Sequence, residues 1–108
     1  MPNHMEERVK YEISENSGRT VLTLHDQLTF SDRTAFDELI PQLLRNGNTG
    51  VVVDMKDLTY MDSAGLGMLL TLRDRAEKAK SKVAIRGPQG DVKELLRLSC
   101  FDTLFAFE

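Results

Sequence analysis

Residues 54–70 read DMKDLTYMDSAGLGMLL and join an apolar strand pattern to an apolar helix pattern. Immediately upstream, Val51-Val52-Val53 is a continuous β-branched run, the pattern of a central strand covered on both faces. Downstream, Leu66, Leu69, Leu70, Leu72 and Ala76 recur at helical spacing, which predicts a helix from Ser63 to about Lys80. Val83-Ala84-Ile85 follows as a second apolar strand. Strand 51–54, the helix and strand 83–86 then form a right-handed crossover, so the two strands are parallel. This puts Asp62 to Gly67 beyond the carboxyl end of a central strand, the edge where open α/β sheets present their functional sites. Gly65 and Gly67 fall where the helix begins, and each glycine inside a helix costs about 1 kcal/mol relative to alanine. Their presence points to a need for small residues or a close backbone approach.

Working outward, residues 1–8 are polar and irregular and read as a loose arm ahead of one domain, 9–108. Val9, Tyr11 and Ile13 alternate with polar residues as in a half-buried strand. A turn at Glu15-Asn16-Ser17-Gly18 leads into a second strand, Thr20 to His25, and the two form a hairpin. Phe36, Leu39, Ile40, Leu43 and Leu44 make the apolar stripe of a helix, with Ser31 or Asp32 as its cap. Pro41 inside that stripe predicts a kink or break near Ile40, and Asn46 to Gly50 end the helix. Asp91 and Glu94 have the spacing of a capping box that opens a short helix bearing Val92, Leu95 and Leu96. Leu104 to Phe107 read as a last strand. The order β-β-α-β-α-β-α-β describes a single α/β domain.

A chain of 108 residues can build one hydrophobic core. Its 41% hydrophobic and 29% charged residues are ordinary for a globular protein. The net charge of −3 argues against nucleic-acid binding through a basic surface. No apolar run reaches the roughly 18 residues of a membrane span, and the first ten residues lack a signal-peptide pattern. The single cysteine, Cys100, reads as a small buried apolar side chain and fits a reducing cytoplasm. His4 and His25, with no second cysteine, make no zinc-ligand set.

Four chemistries compete at Asp62-Ser63. A hydrolase would need G-x-S-x-G around Ser63, and Met61 stands where the first glycine belongs, so the nucleophile-elbow motif fails. Gly65 and Gly67 make a G-x-G without a third glycine or a P-loop lysine, a weak signal for phosphate binding. Plain helix capping by Asp62 or Ser63 is common, but it leaves both glycines without a purpose. The fourth reading is phosphorylation of Ser63. An exposed hydroxyl at a helix N-terminus meets free amides and the positive end of the dipole, which tolerate an added anion.

The pattern Asp54-x-x-x-Leu58-x-x-Met61-Asp62-Ser63-Ala64-Gly65-Leu66-Gly67 resembles the signature of STAS domains, specifically bacterial anti-sigma factor antagonists, and the resemblance runs from Val9 to about Phe105. It implies a mixed central sheet with an N-terminal hairpin and helices mainly on one face. It implies a non-enzymatic role without metal or cofactor. The expected partners are an anti-sigma factor serine kinase, which binds the unphosphorylated form and phosphorylates Ser63, and a metal-dependent serine phosphatase, which reverses the mark. The docking face implied comprises Asp62, Ser63, Ala64, Gly65, Leu66 and Gly67 with Leu28, Thr29, Phe30, Ser31 and Asp32, from the loop Asp26 to Asp32. Where many members read Gly-Glu-Leu-Asp in that loop, this chain has Asp26-Gln27-Leu28-Thr29, and the further helix that many carry after the last strand is expected to be either missing or trimmed from this sequence. The alternative implied by other relatives is a constitutive scaffold or lipid-transport subunit that binds a fixed partner without phosphorylation.

Overall fold

The computed structural model describes residues 10–45 and 49–108. The expected arm at 1–8, Val9, and the stop at Asn46 to Asn48 lie outside the described residues. Strand β1 (Lys10–Asn16) pairs antiparallel with β2 (Arg19–Leu28) through a turn at Ser17 and Gly18, both at positive φ. A 3-10 turn, Phe30–Asp32, leads into α1 (Arg33–Leu43). Strand β3 (Gly50–Met61), α2 (Ser63–Lys78) and β4 (Val83–Arg86) form the expected crossover. Helix α3 (Gly90–Leu98), a 3-10 turn at Phe101–Thr103 and the short β5 (Ala106–Phe107) complete the fold. The five strands lie in sequence order, and β2 to β5 are mutually parallel.

One core explains this arrangement. Leu22, Leu24, Val51, Val53, Met55, Val83 and Ile85 point from the sheet into a cluster with Phe36, Leu39, Ile40, Met68, Leu69, Leu72, Val92 and Leu96 from the three helices. Alternation along each strand leaves Val21, Val52 and Ala84 on the opposite face, which carries no helix among the described residues yet keeps all three buried. Part of the cover comes from Arg19. Its stem would pass 3.5 Å from a Cβ placed at Gly50, and its guanidinium binds Glu108 at 2.7 Å. Arg86 reaches the same carboxylate at 3.5 Å. The two guanidiniums hold the Glu108 carboxyl below its ordinary range, Arg19 by its hydrogen bond above all. A carboxylate with a depressed folded-state pKa stabilises the fold above its unfolded pKa of about 4.3 and loses that contribution as pH falls through the lower folded value. Glu108→Gln is therefore expected to leave the protein less sensitive to acid below about pH 4. Thermal melts of both proteins from neutral pH downward should converge at the acid end.

Several local expectations are corrected. Tyr11 and Ile13 are not half-buried, because β1 is an edge strand beyond the helices and every residue of it is exposed. Helix α1 runs through Pro41 to Leu43 without a break; Pro41 lies exposed in the last turn, where one missing donor is tolerated. Neither Ser31 nor Asp32 caps α1 by a side-chain bond; the Asp32 carboxylate turns back to accept from the Thr29 amide at 2.8 Å. Helix α3 starts two residues early, after Gln89, so Asp91 sits in the first turn and Glu94 binds Arg97 instead of closing a capping box. Leu104 belongs to the turn before β5, leaving only two residues in the last strand. Cys100 is exposed at φ 61, the left-handed residue that ends α3, and does not act as core filling.

Candidate functional site

The two segments singled out in sequence meet at the carboxyl end of β2 and β3. Both strands run further than their β-rich centres. Strand β3 reaches Met61, and register shifts after Thr23 and after Asp26, where Asp26 takes φ 66, keep β2 paired with it as far as Leu28. What looked like a loop from Asp26 is therefore largely strand plus a 3-10 turn, and Phe30 arrives beside Asp62.

Asp62 holds the site together. It is the residue before α2, in extended conformation, and its Oδ1 accepts from the Gly65 amide at 3.1 Å, the usual cap geometry. Its Oδ2 accepts from the Phe30 amide at 3.1 Å. One carboxylate thus closes the start of α2 and ties it to the turn after β2. Asp62→Ala removes both acceptors and is expected to cost about 2 kcal/mol, the sum of a lost cap and an orphaned amide. Asp62→Asn, which keeps one acceptor oxygen, should fall between the two in urea denaturation.

Gly65 is buried, and the backbone explains it. A Cβ there would meet the Met61 side chain and lie 2.9 Å from the Leu28 carbonyl oxygen. The helix can approach the ends of β2 and β3 only without a side chain. Gly67 differs: a Cβ would meet only Arg33 Nη2, at 3.7 Å. The close-approach argument drawn from both glycines applies to one.

The eleven residues predicted for the docking face fall into two groups. Leu28, Asp32 and Gly65 are buried and act by positioning; Ala64 and Leu66 are partly buried against the core. Ser63, Ser31 and Phe30 are exposed, with Thr29, Asp62 and Gly67 in between. Phe30 is 72% exposed, an unusual state for a phenylalanine. Ser63 is the first residue of α2, and among the described residues its hydroxyl has no hydrogen-bond partner. Two apolar residues that sequence reasoning missed border this region: Tyr60, 52% exposed two residues before Asp62, and Leu70, 40% exposed on α2. Tyr60 alternates outward beside buried Met61, a signal visible only once β3 is known to extend that far. Leu70 read as a core position, but the helix turns it away.

His25, the nearest candidate for a catalytic base in a hydrolase, faces Glu12 at 3.6 Å and Asp57 at 3.7 Å instead of Ser63. Among the described residues no group of His, Cys, Asp and Glu could hold a metal ion, and no helix is long and apolar enough to cross a membrane.

Comparison with known proteins matches this architecture. A protein of Mycobacterium paratuberculosis described as an anti-sigma factor antagonist superimposes with TM-score 0.81 at 14% identity, over 94% of this chain and 86% of that one. The Bacillus cell fate determinant SpoIIAA in its phosphorylated form gives TM-score 0.64 at 16% identity, over 92% and 91%. In sequence, a STAS-domain containing protein of Pseudomonas aeruginosa is 41% identical over 54 residues, so that the match spans about half of each chain. The family model described as "Mlab, STAS domain" matches residues 12–106. With nearly the whole chain matched and the sheet, hairpin and one-sided helices in place, the chain belongs to the STAS-domain family.

Proposed function

We propose that this protein is an anti-sigma factor antagonist that works as a serine phosphoswitch in the cytoplasm, without catalytic activity of its own. Its unphosphorylated form binds an anti-sigma factor serine kinase and releases that kinase's target. Phosphorylation of Ser63 ends the binding, and a metal-dependent phosphatase restores it. The observation that carries this reading is the exposed Ser63 hydroxyl, without a hydrogen-bond partner among the described residues, next to Asp62, whose carboxylate holds the turn bearing the solvent-facing Phe30. The likeness to SpoIIAA, a protein whose phosphorylated form is known, supports it. A hydroxyl held at the first position of α2 is open to a kinase, and the positive end of the helix dipole offsets the repulsion between a phosphate there and Asp62.

The test is incubation with the cognate kinase and ATP, followed by mass spectrometry. A gain of one phosphate, absent in Ser63→Ala, supports the switch; an unmodified protein refutes it. The exposed apolar residues Phe30, Tyr60 and Leu70 favour a second reading, constitutive binding of a fixed partner. Partner capture that persists in Phe30→Ala and ignores the state of Ser63 would sink both.

A further inference from the structure

A cavity of about 440 Å³ lies at the other end of α2 from Ser63. Arg73 and Glu77 of α2 form one wall, Lys80 and Lys82 the rim, and Val83 and Leu104 the apolar floor. Its volume is within the range of small-molecule sites. Strand β5 pairs with β4 only from Ala84 onward, so Val83, held by β3 on one side, has no strand on its β5 side among the described residues. Leu104 is left 38% exposed.

The charges converge on this space. Glu77 is the only acid of the lining, and Arg73 binds it at 3.4 Å. Arg73 also donates its Nε–H to the Leu104 carbonyl at 2.8 Å, which fixes the wall to the floor. Neither Lys80 nor Lys82 pairs with a carboxylate among the described residues, and both are exposed, so the two ammonium groups of the lining face solvent. The last carbonyls of α2 are satisfied within the chain. The Glu77 carbonyl accepts from the Lys80 amide at 3.0 Å and the Ala76 carbonyl from the Ser81 amide at 2.8 Å. Lys80 itself is at φ 61, the position where helices favour glycine. Its side chain lies on the rim of the cavity.

We infer that this cavity binds a small soluble organic anion, a phosphate or carboxylate head with a short apolar tail. The head sits between Lys80 and Lys82, and the tail covers Val83 and Leu104. The site is independent of the switch proposed at Ser63. Because α2 spans about 24 Å at 1.5 Å per residue, a ligand here leaves the Ser63 end open.

The test uses the full chain, amide NMR and hexyl phosphate as probe. Saturable shifts confined to residues 73, 77, 80–83 and 104–106 are expected. Hexanol and inorganic phosphate, each offering half of the chemistry, should bind at least about tenfold more weakly. Lys80→Gly with Lys82→Ala removes the charge, and the glycine suits the left-handed position, so this variant should fold normally and lose at least about tenfold in affinity. Shifts elsewhere, no shifts at millimolar probe, or unchanged affinity in the variant would overturn the inference. So would retention by anionic phospholipid vesicles without binding of free hexyl phosphate, since the source of the head would then be a membrane.

Discussion

Gly65→Ala is expected to destabilise the fold by about 2–3 kcal/mol, while Gly67→Ala, two residues on in the same helix, is expected to stabilise it by about 0.5–1 kcal/mol. Helix propensity favours alanine equally at both positions. The surroundings decide the sign. At Gly65 the new methyl would press on a backbone carbonyl, that of Leu28, at 2.9 Å and on the Met61 side chain, whose sulfur lies 3.0 Å away. Met61 is buried at the end of β3. The carbonyl is fixed too, because the Asp62 amide donates to it at 3.4 Å. Relief requires α2 to lift from the sheet, which weakens the Asp62 bond to the Gly65 amide. At Gly67 the only neighbour is the mobile end of an exposed arginine. Urea denaturation of the two variants measures both effects. Equal destabilisation would show that Gly67 has a packing role the static contacts lack. If Gly67→Ala is more stable but binds the partner less well, its glycine serves docking and not folding.

The frame of the fold was legible because it depends on runs and periods that local chemistry writes clearly. The Val51 to Val53 run, the α2 stripe and the Val83 to Ile85 run each bury a continuous apolar surface, and one core satisfies all three. The site's boundaries were harder to read. Asp26, Gln27, Asp57 and Thr59 look like loop residues, yet backbone pairing between β2 and β3 carries the sheet through them, helped by a bulge with Asp26 at φ 66. Pairing of this kind depends on a partner strand about thirty residues away, and neither segment advertises it alone. For the same reason the second bond of Asp62, to the Phe30 amide, was out of reach: capping is local, whereas the link between two turns exists only after the strands align. Cys100 misled because cysteine is usually buried, and its place here is set by the backbone need for a left-handed residue after α3.

Ser63→Asp is expected to leave the melting temperature nearly unchanged while weakening the complex with the proposed kinase by about 100-fold, or 2.8 kcal/mol. The two halves of this prediction have separate causes. For folding, residue 63 is exposed and begins α2, so its side chain displaces nothing. A carboxylate there also interacts favourably with the helix dipole, worth about 0.3–1 kcal/mol, and this offsets repulsion from Asp62 next to it. Asp62 is already committed to two amides and does not move to meet the newcomer. For binding, the same charge lies beside Phe30, whose exposed ring must lose its water when a partner docks. Burying an unpaired carboxylate in that contact costs several kcal/mol, more than enough for the expected loss. A phosphate, with about −1.5 to −2 charges, should act more strongly than aspartate in the same direction. Calorimetric titration of the kinase with wild-type protein, Ser63→Ala and Ser63→Asp separates charge from shape: the alanine variant should bind like the wild type. If Ser63→Asp binds equally well, the partner does not desolvate this end of α2 and the phosphoswitch fails. If it melts far lower instead, the serine has a structural duty that its exposed position contradicts.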